Sequence, residues 1–196
     1  QGDTFYIGIG NFSESTGSLP LIYDWRAPVS SLFYDFDKGP ASYEAPGGMM
    51  EGDILSKWQY KIRDGKMIYE FESDVKIDDD ILKQELGTNG SVQLKNIVCT
   101  IQREQNAIIR NTKDKILAIQ GAAGSGKTSV GFHRIAYLLY RNRNELASSE
   151  VIMFSNNDIF SSYVADIIPE LGEMPINYAS FYSIFAAEIA TASVGD

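Results

Sequence analysis

The stretch Gly121-Ala122-Ala123-Gly124-Ser125-Gly126-Lys127-Thr128 places two glycines five residues apart and follows the second with a lysine and a hydroxyl. That spacing suits a loop turned tightly around an anion. Glycine permits the turn, several backbone N–H groups converge on the bound group, and a helix starting at the loop adds a favourable field. In such a loop Lys127 reaches the β- and γ-phosphates of a nucleotide and Thr128 sets its hydroxyl on Mg²⁺. The candidate binding set is Gly121, Ala122, Ala123, Gly124, Ser125, Gly126, Lys127, Thr128 and Ser129, with Lys127 and Thr128 carrying the chemistry and Thr128 the metal contact. Gln105 joins it from upstream. Taken alone, a glutamine on a helix is ordinarily a solvated residue, but its amide offers both the donor and the acceptor that the adenine N6/N7 edge requires. The ligand expected is ATP with Mg²⁺.

A magnesium-dependent ATPase also needs a carboxylate at the end of a neighbouring strand, and a second one to orient the attacking water. The apolar run Glu150–Ser155 is followed by Asn156 and Asn157, and Asp158 suits a helix cap. Asp166, Glu170 and Glu173 have no apolar strand before them. The loop is present and its catalytic carboxylates are not, so hydrolysis by this chain alone is expected to be negligible.

The elements that must position these residues fall into two styles. From Thr4 to Phe71, short alternating runs such as "TFYIGIGNF", "PVSSLFYDF" and "SKWQYKI" read as strands with turn punctuation. Asp64-Gly65 predicts a hairpin joining Trp58/Tyr60/Ile62 to Met67/Tyr69/Phe71. "DDDILKQELG" predicts a short helix ending at Gly87, and "TNGS" after it is the best boundary. Beyond that point helices alternate with apolar strands. "TIQREQNAIIRN" is a helix, "KILAIQ" a buried strand, and "GKTSVGFHRIAYLLYRNR" a long helix whose apolar face includes Val130, Ile135, Leu138 and Leu139. "EVIMFS" is a second buried strand, "DIFSSYVADII" a helix ending near Pro169, and "SFYSIFAAEIAT" a last helix. This alternation implies parallel strands with crossover connections. The fold class expected is α/β, α+β over the whole chain. A β-rich domain over residues 1–90 precedes a partial RecA-like, phosphate-loop domain with parallel strands over 91–196.

The net charge is −9 over 196 residues, and it is uneven. Residues 1–98 hold sixteen acids and nine bases; residues 99–196 hold ten and eight. An acidic first half repels nucleic acid, because neutralising phosphates takes clustered lysine and arginine. The single cysteine, Cys99, sits in an apolar run, which excludes an internal disulfide and fits a buried thiol in a reducing cytoplasm. No apolar run approaches the ~20 residues that span a bilayer. Opening on Gln1 instead of Met, the chain reads as a piece of a longer one.

Several stretches together resemble the HelD-type branch of the superfamily 1 helicases, related to DNA helicase IV and the UvrD/Rep enzymes. These are "YIGIG", "YDWRAPVSSLFYDF", "ASYEAPGG", "IVCTIQREQNAIIR", "QGAAGSGKTSVGFHRIAYLLYR" and "YVADIIPELGE". The resemblance implies a RecA-like first motor domain entered after a β-rich segment, with Gln105 in the adenine-reading Q motif and Lys127 and Thr128 in motif I. Residues Ser155 to Asp158 would align with motif Ia, although "SNN" stands where the branch often has Ser-Pro-Asn. Motif II with its acidic pair, the arginine fingers and the second motor domain would follow Asp196, and a helical arm that enters RNA polymerase would precede Gln1. Members of the branch use ATP to help clear RNA polymerase from DNA. The resemblance therefore implies DNA and RNA polymerase as partners of the parent protein, met mostly through regions absent here.

Two rivals stand beside this reading. A small phosphate-transferring kinase would carry an arginine-rich lid after the loop helix, whereas Arg134, Arg141 and Arg143 all lie in or at the end of that helix. A non-catalytic interaction module would bind no ATP even in the full parent. The remaining polar candidates have structural readings: "DWRAP" as a Trp-Arg-Pro corner bracing one sheet against the motor domain, His133 as a packed or hydrogen-bonded group, and the first-half aromatics as a β core instead of a base-stacking surface.

Overall fold

The computed structural model describes residues 2–72, 103–155, 159–180 and 182–186. Helices and small sheets mix in an α+β arrangement. The chain divides into two compact units, residues 1–107 and 108–196. The boundary expected near residue 90, the helix expected at 78–87 and Cys99 lie outside the described residues.

The first unit opens with β1 (Tyr6–Gly8) and β2 (Ile22–Asp24), which pair in parallel. Two antiparallel hairpins follow: β3 (Gly39–Ala45) with β4 (Gly48–Ile54), and β5 (Trp58–Arg63) with β6 (Lys66–Glu72). The second is the hairpin foreseen from Asp64-Gly65. Both turn residues hold positive φ, 50° and 71°, the conformation that an Asp-Gly pair tolerates best. The register slips by one residue between Lys61 and Ile62, a bulge that alternation alone does not signal.

"PVSSLFYDF" corrects the sequence reading. Pro28–Ser30 forms a 3-10 turn that runs into helix α1 (Ser31–Asp35). Proline fixes its own φ near the helical value and lacks the N–H that a first turn leaves unused, so the segment starts as a helix. Val29 and Tyr34 turn inward while Phe33 stays half-buried, a spacing that suits a helix better than a strand.

"DWRAP" folds as a buried corner. Arg26 sends Nε and Nη2 to the two carboxylate oxygens of Asp24 at 2.8 and 2.6 Å, with both side chains about 5% exposed or less. The Asp24 amide donates to Asn11 Oδ1 at 2.8 Å, and Ser30 Oγ donates to the Asp24 carbonyl at 2.6 Å. Trp25, fully buried, donates its backbone N–H to Gly8. Sheet, turn and helix start thus meet in one polar knot capped by an indole.

Helix α2 (Arg103–Ile109) contains the division between the units. Within the first unit, Asn106 Nδ2 donates to Asp35 Oδ1 at 2.6 Å.

In the second unit, helix α3 (Lys127–Arg141) buries Val130, Phe132, His133, Ala136, Tyr137 and Leu139. Burying each large apolar side chain contributes about 1.5–3 kcal/mol. The buried stripe is rotated from the expected one: Ile135 and Leu138 are only half-buried. Helix α4 (Ile159–Glu170) buries Val164, Ile167 and Ile168, and it ends one residue past Pro169, where Gly172 at φ 88° lets the chain reverse.

Strand β7 (Ile152–Phe154) pairs in parallel with β8 (Asn177–Ala179), and α4 forms the crossover between them. Parallel pairing across a helix matches the expectation; burial does not, since Ile152 and Phe154 are 50% and 60% exposed. Residues 115–120, expected to form a buried strand ahead of the loop, form no strand, and Ile116 is 91% exposed. A strand is defined by the neighbour it ladders with, and among the described residues this run has none. Residues 182–186 are helical; the rest of the expected last helix lies outside the described residues.

Candidate phosphate-binding loop

Gly121 to Gly126 form an exposed turn that delivers the chain into α3. Gly124 and Gly126 sit at φ 79° and 80°, in the left-handed region where a side chain costs about 1–2 kcal/mol. Gly121 leaves room for the Ser125 hydroxyl: a Cβ there would lie 2.6 Å from Ser125 Oγ and require that side chain to turn. Ser125 N–H donates to the Ala122 carbonyl at 3.3 Å, and Val130 N–H donates to Gly126 at 2.9 Å, the first bond of the helix ladder. Ala122, Ala123, Ser125 and Thr128 are exposed, and Ser129 is half-buried.

Lys127 folds back over the turn. Its ammonium donates to the carbonyls of Gly121 and Ala122 at 2.8 and 2.6 Å, which places a positive charge beside the loop, and among the described residues no carboxylate pairs with it. The helix that follows is fifteen residues long, so its unbonded N-terminal N–H groups and macrodipole act at the same place. An ammonium, free helix amides and an exposed Thr128 hydroxyl make a donor set suited to phosphate oxygens and a hydrated cation.

The approach to the loop is held by residues that the sequence reading did not assign. Asn111 Oδ1 accepts the backbone N–H groups of Lys113 and Asp114 at 3.0 and 3.2 Å, while its Nδ2 donates to Asp114 Oδ2 at 2.6 Å. Arg134, one face of α3 away, donates from Nη1 to the carbonyls of Ile108 and Asn111 at 2.7 and 2.5 Å. Arg110 lies over the Tyr137 ring at 5.1 Å. The Asn-x-x-Asp spacing was the available signal, since asparagine bonds its own chain two or three residues on.

His133 is fully buried one turn beyond Ser129, and its Nδ1 lies 2.7 Å from the Ser129 carbonyl. A carbonyl only accepts, so Nδ1 carries the proton. Desolvation by burial lowers the imidazole pKa below its ordinary 6.5, partly opposed by that backbone bond. The structural reading of His133 stands.

Gln105 belongs to the first unit and residues 121–129 to the second. Asn156, Asn157 and Asp158 lie outside the described residues. Ser155 donates its N–H to the Ala179 carbonyl at 3.2 Å, a bond that extends the β7–β8 pairing. Among the described residues no group of three or more His, Cys, Asp or Glu side chains is placed to hold a metal ion. No helix among them is long and apolar enough to cross a membrane.

The β1–β6 region with its buried Asp24–Arg26 corner has a counterpart among known families. Residues 1–87 match the family model described as DNA helicase IV HelD, N-terminal domain. The HelD match includes every described strand of the first unit and ends ahead of Gln105 and the loop. It places the first 87 residues in a helicase-related context. Comparison with curated proteins finds no match.

Proposed function

We propose that this chain is the entry to an ATP-driven, superfamily 1 helicase-like motor: a HelD-type β-rich domain followed by the first part of a RecA-like nucleotide-binding domain. The observation that carries the reading is the loop itself, where two left-handed glycines, a long helix start and the Lys127 ammonium converge. The HelD match immediately upstream supports the same context, and the parallel β7–α4–β8 unit is compatible with a RecA-like sheet.

In this reading residues 121–129 cradle the phosphates of ATP. Lys127 exchanges its two backbone carbonyls for phosphate oxygens, Thr128 holds Mg²⁺, and Gln105 reads the adenine edge. The metal, when bound, supplies charge neutralisation between the phosphates. Arg134 and Asn111 act as positioning residues by fixing the chain that leads into the loop. The groups that activate water are supplied from outside this chain. The parent protein works in the cytoplasm, hydrolyses ATP, and moves on DNA or releases RNA polymerase from it.

Calorimetric titration with Mg·ATP and Mg·GTP tests this. ATP binds in preference to GTP, and Lys127→Ala weakens ATP by about 10- to 150-fold, the loss of charge-assisted bonds to phosphate. Gln105→Ala removes the base preference and leaves GTP affinity unchanged. ATP binding indifferent to Lys127→Ala would sink the proposal.

A further inference from the structure

We propose that the β5–β6 hairpin is a docking face for a basic, extended segment of a partner protein, an inference independent of the nucleotide reading. The register sets Trp58 opposite Glu72, Tyr60 opposite Glu70 and Ile62 opposite Met67, so these six side chains share one face. Trp58, Tyr60, Ile62 and Met67 are 44%, 42%, 63% and 50% exposed. A two-stranded hairpin is marginal in water by itself, and among the described residues no third strand joins either edge. Exposed tryptophan and tyrosine on a rigid sheet are the side chains that most often anchor protein interfaces.

Charge decides the occupant. Each ring stands directly across from a carboxylate, a pairing that suits arginine or lysine: the cation lies over the ring and bonds the acid beside it. The chain already shows this chemistry, since the Lys38 ammonium sits 2.6 Å from Glu72. Strand alternation sends Lys61, Arg63 and Lys66 to the opposite face, and with Glu72 already paired to Lys38 the carboxylate left for a partner among the described residues is Glu70, opposite Tyr60. That carboxylate opposes nucleic acid, whose phosphates would approach Glu70. Trp58 and Tyr60 are two residues apart on one strand, about 6.8 Å, which is also the spacing of alternate side chains in an extended peptide. The occupant is therefore an extended segment that sets an arginine or lysine over Tyr60 beside Glu70, with its alternate side chain against Trp58.

Trp25 is fully buried and Trp58 is exposed, so tryptophan fluorescence reports on this face. An acetylated octapeptide of alternating arginine and serine is titrated into the whole chain, beside the glutamine–serine peptide and an oligothymidine. Saturable change in Trp58 emission with the arginine peptide alone is expected. Glu70→Gln weakens it about 1.5- to 5-fold, as for one exposed charge pair, and Tyr60→Ser weakens it with circular dichroism unchanged. Equal response to the glutamine peptide, binding of oligothymidine in its place, or no response to the arginine peptide at millimolar concentration each overturns the proposal. The peptide comparison is made on the unsubstituted chain, so a misfolded variant does not blur it.

Discussion

The proton on His133 Nδ1 points at the Ser129 carbonyl, which ties the imidazole to the first turn of α3. Because burial lowers the pKa of this group in the folded chain, the unfolded chain binds the proton more readily as pH falls below the ordinary 6.5. Stability is therefore fully present above that value and declines as pH drops toward the folded-state pKa. Urea midpoints measured from pH 7.5 to 5.5 should fall for the natural chain, and His133→Gln should flatten that slope. A slope unchanged by the substitution would contradict the assignment. At this scale the sequence was readable where residue type dictates conformation: Gly124 and Gly126 take the left-handed φ that glycine favours, and Lys127 opens α3. Arg134 was not readable, because its role depends on carbonyls more than twenty residues away.

Among the elements, the Asp24–Arg26 corner joins β2 to the turn that starts α1, and its charges are shielded from water. Removing one partner leaves the other buried and unpaired, so Arg26→Ala should destabilise the first unit by about 3–5 kcal/mol. Chemical denaturation followed by the emission of buried Trp25 measures this. Arg26→Lys should recover only part of the loss, since an ammonium cannot make the two-pronged contact. A cost below about 1 kcal/mol, the range of an exposed pair, would show that the corner opens to solvent. Elements with a local cause were legible: the β5–β6 turn follows from Asp64-Gly65, and α3 from its periodicity. Elements with a distant cause were not. "PVSSLFYDF" has strand-like composition but begins at a proline that favours a helical turn. Residues 115–120 have the composition of a strand and lack a ladder partner among the described residues. Strand β8 has the opposite history: "NYA" carries no signal of its own and becomes a strand because β7 lies beside it.

For the molecule as a whole, the excess of sixteen acids over nine bases in residues 1–98 sets the long-range field. The chain should bind oligothymidine more weakly than about 100 μM at physiological salt, the weak limit of ordinary non-specific binding. Fluorescence anisotropy checks this, and micromolar binding would reveal a basic track that the charge balance conceals. The parallel pairing of β7 with β8 adds a constraint in time. A hairpin can zip from its turn, but two parallel strands cannot touch until the chain between them has doubled back. The chain that carries α4 must therefore double back before Ile152–Phe154 finds Asn177–Ala179. The hairpins at Pro46-Gly47 and Asp64-Gly65 need no such wait. Folding would thus begin at the two local turns of the first unit and finish with the closing of this short ladder, leaving β7 for a time as an apolar edge with nothing beside it.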